Sequence, residues 1–409
     1  MNRFRFLAFA AVMAMPTLPA MAQENAKKVC VVTGELNGWP ANRVVIARYG
    51  EDKRFYGDTI PVRDGRFSYE LEADGSTIYD LTASKDGRGL FVHFFAEEGA
   101  VHIKFHPDSV ADVITSTPLN TEKRRVETAT DTITGNAFAR REAIEAAGRD
   151  LTEPARRLFE LRKSINDRDS IKAIEAEMRR MFDEGRVYTP EYEAAEKAIG
   201  EAFRRQFEAR CRYAVEHPGP VGLYFLQEAA ASELADTALV RRAVEEVYVK
   251  KYPAAYATRW LQGWLAGCNT GVGGRYFDFT APDLSGTDHT LSAEIKGKVA
   301  LIDLWGSWCG SCRKHSIALI PVYNKYKDHG FTIVGVAREF HDSRAMKKAI
   351  ERDGYPWLNL LELDDRLGIW TRYGVGNAGG ARFLVGRDGR ILAINPDAAQ
   401  VEAFLEKEL

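Results

Sequence analysis

Residues 299–312 read VALIDLWGSWCGSC, an apolar run that ends in two cysteines three positions apart. The run from Val299 to Trp305 is typical of a strand buried on both faces of a sheet. Cys309 and Cys312 follow directly, at the start of a segment with helical spacing. After residue 274 strand and helix patterns alternate, which predicts an α/β domain with a mixed or parallel sheet. The cysteine pair then lies where a buried strand leads into a helix.

That position suits disulfide chemistry, because the thiolate and not the thiol attacks a disulfide. The free amides and the dipole at a helix start stabilise a negative charge, so Cys309 is the predicted nucleophile. Cys312 lies one helical turn further on and can attack the mixed disulfide that Cys309 forms. The pair itself is then the redox centre, a Cys309–Cys312 disulfide, and no other cofactor is expected.

A zinc site is the alternative for two cysteines at this spacing. Structural zinc takes four ligands, and the sequence contains no second close cysteine pair. We therefore expect redox chemistry and no metal. Cys30, Cys211 and Cys268 belong to no motif, and a structural disulfide between two of them is left open.

The first 22 residues have the features of a secretory signal. Arg3 and Arg5 precede the apolar run from Phe6 to Met15, and Ala20-Met21-Ala22 offers small residues for cleavage. The apolar run is shorter than the ~20 residues that span a bilayer. We expect a signal peptide cleaved near Ala22, a mature chain that does not span the membrane, and export to the periplasm or cell envelope, where disulfides persist.

The patterning of the rest predicts a multidomain chain. Short alternating runs separated by turn residues predict an antiparallel β-sandwich, and later apolar residues at three- and four-residue spacing predict helices. The predicted divisions are a signal peptide over 1–22, a β-sandwich domain of unknown function over 23–118, an α-helical region over 119–268, and an α/β domain over 269–409. The chemistry is confined to the last of these.

The charge balance argues against a polyanionic partner. The 409 residues include 56 Lys and Arg and 58 Asp and Glu, a formal net charge of −2. Nucleic-acid binding rests on a basic excess that neutralises phosphates, and this chain has none. A nucleic-acid partner is therefore not expected.

Residues 274–409 resemble a thioredoxin-fold module of the TlpA/ResA type, related to the AhpC/TSA branch. The matching segments are Phe277-Asp278-Phe279-Thr280-Ala281-Pro282-Asp283-Leu284, Leu291-Ser292, Lys296-Gly297-Lys298-Val299, Leu304-Trp305-Gly306-Ser307-Trp308-Cys309 and Phe331-Thr332-Ile333-Val334-Gly335-Val336. The preceding sections resemble an N-terminal region of unknown function found in bacterial envelope proteins. That second resemblance carries no active residues.

The resemblance implies roles for residues around the pair. Asp303 matches the buried acid that moves the proton of the inner cysteine, and burial would raise its pKa into a useful range. His315 stands where such proteins have Glu and could exchange protons, although a solvated surface histidine is equally consistent. Gly380 stands where the family has a cis-proline facing the site. The predicted surround of the pair comprises Trp308, Gly310, Ser311 and Gly380.

The expected function is that of an exported thiol-disulfide oxidoreductase. It would reduce or exchange disulfides of envelope proteins, with electrons from a membrane donor, and the resemblance suggests cytochrome c maturation or envelope disulfide repair. The alternative is an envelope binding or scaffold protein in which the redox pair is vestigial or regulatory.

Overall fold

A computed structural model describes residues 28–38, 41–85, 88–106, 109–232, 234–377 and 379–409. The predicted signal peptide over 1–22 lies outside these residues. Within them, no helix is both long enough and apolar enough to cross a membrane.

The first region is rich in strands and contains one short helix. Its elements are β1 Val29–Leu36, β2 Arg43–Arg48, α1 Lys53–Tyr56, β3 Asp58–Pro61, β4 Arg66–Glu72, β5 Ile78–Lys85, β6 Arg88–Phe95, β7 Gly99–His106 and β8 Ser109–Ile114. The strands form two four-stranded sheets, ordered β4-β1-β7-β8 and β3-β2-β5-β6. Buried side chains from both sheets, among them Val32, Val44 and Ile103, belong to one apolar cluster.

The prediction that these strands are all antiparallel is wrong for one pair. β1 and β7 run parallel, with Cys30 opposite Gly99 and Leu36 opposite Phe105. Strands joined by a tight turn must be antiparallel, but β1 and β7 are distant in the chain and have no such constraint. Apolar alternation specifies which face is buried and carries no information about the direction of a non-sequential neighbour.

The central region is helical, as predicted. Its helices are α2 Pro118–Ala146, α3 Glu153–Ser164, α4 Arg168–Asp183, α5 Pro190–Glu216, α6 Pro220–Ala231, α7 Thr237–Ala243, α8 Val249–Lys251 and α9 Tyr256–Gly267, with a π-helical turn over Val244–Tyr248. Thr189 caps α5, because its hydroxyl accepts a hydrogen bond from the Tyr192 amide.

The last region has the thioredoxin fold. Its elements are β9 Thr280–Pro282, β10 Asp288–Thr290, α10 Leu291–Glu294, β11 Val299–Trp305, α11 Gly310–Tyr326, β12 Phe331–Glu339, α12 Arg344–Asp353, β13 Leu358–Leu363, α13 Ile369–Arg372, β14 Ala381–Val385, β15 Ile391–Ile394 and α14 Ala398–Glu408, with a 3₁₀ turn over Lys327–His329. The main sheet is ordered β13-β12-β11-β14-β15, parallel from β11 to β13 and antiparallel at β14 and β15. Every residue of β11 is buried, so the strand that precedes the cysteines lies at the centre of the sheet.

The other three cysteines are unpaired. Cys30 lies in the strand cluster and Cys211 in a cluster of helical residues, so their surroundings are separate apolar cores. Cys268 is exposed at the end of α9. The disulfide that the sequence left open among them is not formed.

Candidate active site

Cys309 and Cys312 form a disulfide at the start of α11. Cys309 is the N-cap of this helix, and the Cys312 amide donates to its sulfur across 3.3 Å. The hydroxyl of Ser311 lies 3.5 Å from the same sulfur, while Gly310 is exposed at the first helical position. A thiolate on Cys309 would keep the amide donor and the helix dipole, both of which favour the charged form.

The sulfur of Cys312 has a backbone donor of its own. The Gly380 amide donates to Cys312 Sγ across 3.2 Å. A Cβ on residue 380 would lie 1.8 Å from the Leu304 carbonyl oxygen and 3.1 Å from Cys312 Sγ. Only glycine fits this close approach. Proline would lack the amide hydrogen that Gly380 donates.

Asp303 lies on β11, six positions before Cys309, with 2% of its surface exposed. Ser316 Oγ donates to Asp303 Oδ2 across 2.6 Å and also lies 3.1 Å from the Cys312 carbonyl oxygen. Burial raises the pKa of Asp303 to about 6, against the opposing effects of the Ser316 hydrogen bond and the Arg382 charge. Asp303 can therefore take up or release a proton near neutral pH.

Ser316 and Arg382 were not predicted from the sequence. Ser316 follows Cys312 by four positions, so the helical period places both on the buried face of α11, and this signal could have found it. Arg382 lies opposite Asp303 in the pairing of β11 with β14. That pairing joins positions 79 residues apart, and no local pattern in the sequence predicts it.

Replacing Asp303 with Asn should make stability less sensitive to pH. The folded chain favours protonated Asp303, so its contribution to stability is fully present below the pKa of the unfolded chain and is lost as pH rises through about 6. We expect the unfolding free energy of Asp303→Asn to exceed that of the native chain by about 3 kcal/mol above pH 7, and by little near pH 4. Urea unfolding across this pH range measures the difference.

Asp353→Asn is the matched control for that measurement. Asp353 is nearly buried, and the hydrogen bond from Arg313, at 2.6 Å, lowers its pKa. A lowered pKa gives stability that is present at neutral pH and lost on acidification, so this variant should lose most stability near pH 7. If both substitutions changed the unfolding free energy at neutral pH in the same direction, the raised pKa assigned to Asp303 would be contradicted.

His315 lies on the exposed face of α11. Across the described residues its side chain makes no hydrogen bond or ion pair, and it is exposed whereas Asp303 and Ser316 are buried. Its proposed part in proton exchange stays a prediction.

Trp308 is held by groups distant in the sequence. Its indole N–H donates to the Arg338 carbonyl oxygen across 2.9 Å, and its ring lies against Trp370 and Phe340. Next to it, the buried Glu339 accepts hydrogen bonds from the Ser307 amide and hydroxyl, both at 2.7 Å. These contacts fix the loop between β11 and Cys309, and the sequence offered no signal for them.

Two residues of the strand-rich region also lie at this face. The Phe55 ring stacks on Phe340 with centroids 3.6 Å apart and planes inclined by 8°. The Arg54 guanidinium lies 4.7 Å from the centre of the Trp308 ring. The surroundings of the pair therefore include a segment more than 250 positions earlier in the chain.

Comparison with protein families gives separate matches for the strand-rich region and for the α/β domain. The AhpC/TSA family matches residues 272–394, and a domain of unknown function, DUF4369, matches residues 30–122. The second match coincides with the strand-rich region and assigns no chemistry to it.

Relatives of the last region have named activities. The chain is 33% identical over 132 residues to the thiol:disulfide interchange protein DsbE of Allochromatium vinosum, covering 31% of this chain and 68% of that protein. It is 29% identical over 133 residues to the thiol-disulfide oxidoreductase ResA of Bacillus anthracis, covering 32% and 74%. A solved thioredoxin domain of a Bacteroides vulgatus thiol-disulfide oxidoreductase is 33% identical, covering 34% and 97%, with a TM-score of 0.31. With its cysteine pair at the start of α11, the chain belongs to the thiol-disulfide oxidoreductases related to DsbE and ResA, and its residues 272–394 match the AhpC/TSA family.

Proposed function

We propose that this chain is an exported oxidoreductase that reduces or exchanges disulfides in proteins of the cell envelope. The observation that carries the proposal is the pair itself, in which each sulfur accepts a hydrogen bond from a backbone amide, Cys309 from Cys312 and Cys312 from Gly380. These donors stabilise thiolate on either cysteine, and both steps of disulfide exchange proceed through thiolate. The signal-like residues 1–22 support export.

The reaction begins with the reduced pair. The Cys309 thiolate attacks one sulfur of the substrate disulfide, forming a mixed disulfide and releasing one substrate thiolate, which takes a proton. The Cys312 thiol then loses its proton, and its thiolate attacks Cys309 Sγ, breaking the mixed disulfide and releasing the second substrate thiolate, which also takes a proton. Two electrons have passed to the substrate, and the Cys309–Cys312 disulfide remains. An external dithiol must reduce this disulfide before the next cycle, which is the part we propose for a membrane electron donor.

Asp303 is the proposed base for the second attack. Its carboxylate lies at the buried end of the site, and Ser316 links it to the backbone of Cys312. With a pKa of about 6, Asp303 is mostly ionised at neutral pH and can accept a proton from the inner thiol. His315, being exposed, is the proposed route from the pair to solvent.

The proposal extends to the architecture and the cellular role. The apolar cluster shared by the two N-terminal sheets supports a β-sandwich. We propose domain boundaries near residues 118 and 268. Cytochrome c maturation and envelope disulfide repair are the two candidate processes, because both require a reductant of protein disulfides outside the cytosol.

Capture of substrates tests the proposal. In Cys312→Ser the second attack is lost, so mixed disulfides on Cys309 should accumulate with envelope proteins and be released by dithiothreitol. The control is Cys268→Ser, which removes an exposed thiol outside the site and should capture nothing. The native chain should in parallel catalyse insulin reduction by dithiothreitol. Absence of both capture and catalysis would contradict the proposal.

A further inference from the structure

The disulfide lies between two backbone segments that a substrate must approach. One is Trp308, which directly precedes Cys309; the other ends at Gly380, whose amide contacts Cys312 Sγ. Asn377 belongs to this second segment, three positions before Gly380. Both cysteines are 6% exposed, so the approach to the sulfurs is already narrow.

Arg54 of α1 contacts both segments. Its guanidinium lies over the Trp308 ring, 4.7 Å from the centre, and donates to the Asn377 carbonyl oxygen across 2.5 Å. The neighbouring Phe55 stacks on Phe340 and lies 5.7 Å from the Trp308 ring. The N-terminal region therefore reaches across the gap between the two segments that flank the disulfide.

This contact is held rigidly from the N-terminal side. Asp52, which is 4% exposed, caps α1 by accepting from the Arg54 amide across 3.0 Å. Its carboxylate also accepts from Arg54 Nε and from a terminal guanidinium nitrogen, at 3.0 and 2.6 Å. The Arg54 charge is therefore already paired with an acid, so α1 presents bulk and little net charge to an approaching substrate.

The opposite side is equally fixed. Arg338 is buried, and its guanidinium donates to Asn377 Oδ1 across 2.9 Å and pairs with Asp365. Asn377 is thus held by Arg338 on one side and Arg54 on the other.

We propose that α1 is a steric wall of the substrate site, and that Arg54 and Phe55 determine specificity by size. The wall admits disulfides carried on narrow, extended peptide segments and disfavours disulfides set in bulky folded surroundings. The inference rests on the proposed function, since it names the kind of protein disulfide that the pair reaches.

Access to Cys309 can be measured without turnover. The chain carries Cys268→Ser to remove the exposed thiol and is reduced first. N-Ethylmaleimide and a maleimide on a long polyethylene glycol chain then compete as small and large probes, and alkylation at Cys309 is read by peptide mass spectrometry. In Arg54→Ala/Phe55→Ala, the ratio of the large-probe to the small-probe rate constant should rise by about fivefold or more.

Two further variants make this result interpretable. Phe182→Ala removes an exposed phenylalanine from α4 and should leave the ratio at the native value. Arg54→Ala alone removes a side chain that is half exposed, so it should fold normally, and it should raise the ratio by a smaller factor. The inference would be overturned if the ratio of the large-probe to the small-probe rate constant stayed constant or fell in both Arg54→Ala and Arg54→Ala/Phe55→Ala. Equal acceleration of both probes leaves this ratio constant and would mean that α1 shields Cys309 from reagents of any size.

Turnover separates this inference from the proposed function. In the wall variant, the kcat/KM for insulin relative to that for a short peptide disulfide should rise with the probe ratio. If the native chain reduces neither substrate, the proposed function fails, and the alkylation ratio still decides the inference. If both substrates are reduced and their ratio is the same in native chain and variant, the inference fails alone.

Discussion

Cys309→Ser should lower the rate of catalysed insulin reduction by on the order of a thousandfold or more. A serine hydroxyl is almost entirely protonated near neutral pH, so the variant has no anionic nucleophile at the start of α11. The amide of Cys312 and the helix dipole remain, but they stabilise a charge that no longer forms. Dithiothreitol-driven insulin precipitation measures the loss.

Cys312→Ser is the matched comparison. It retains the Cys309 thiolate, so it should form one mixed disulfide and then stall, whereas Cys309→Ser should form none. Both variants lose the same disulfide, so their stabilities should be similar and a difference between them reports on chemistry. Equal trapping by the two variants would contradict the assignment of Cys309 as the attacking residue.

Gly380→Ala should destabilise the α/β domain by about 2 kcal/mol or more, a large effect for one methyl group. The new Cβ would lie 1.8 Å from the Leu304 carbonyl oxygen, and this neighbour is backbone of the central strand, which cannot swing aside as a flexible side chain does. The segment must move outward, which also breaks the 3.2 Å hydrogen bond from residue 380 to Cys312 Sγ. A lower urea midpoint and slower release from the mixed disulfide are the expected results.

Gly379→Ala controls for the loss of glycine flexibility. An added Cβ at position 379 meets no atom of the described residues within 4 Å, so both stability and exchange rate should stay near the native values. If Gly380→Ala behaved like Gly379→Ala, the close packing between residue 380 and Leu304 would not hold in solution.

The chemistry-bearing part of the site is local in the sequence, and this is why it was predictable. Asp303, Cys309 and Cys312 all lie within ten residues, where a buried strand passes into a helix. An apolar run identifies the strand, and the spacing of the cysteines places them one turn apart on the helix. The cysteine pair was predicted from this segment, whereas the thioredoxin fold was predicted from the resemblance of residues 274–409 to a known family. His315 lies on the exposed face of α11, and its role stays a prediction.

The buried strand, the helix start and the cysteine pair could be predicted from the local sequence, because each depends on neighbours a few positions apart. Three other features depend on tertiary packing: the parallel pairing of β1 with β7, the position of Arg382 opposite Asp303 and the placement of Arg54 over Trp308. Each of these joins residues about 70 or more positions apart. Such contacts follow from how whole sheets and helices pack, and apolar periodicity records only which face of each element is buried.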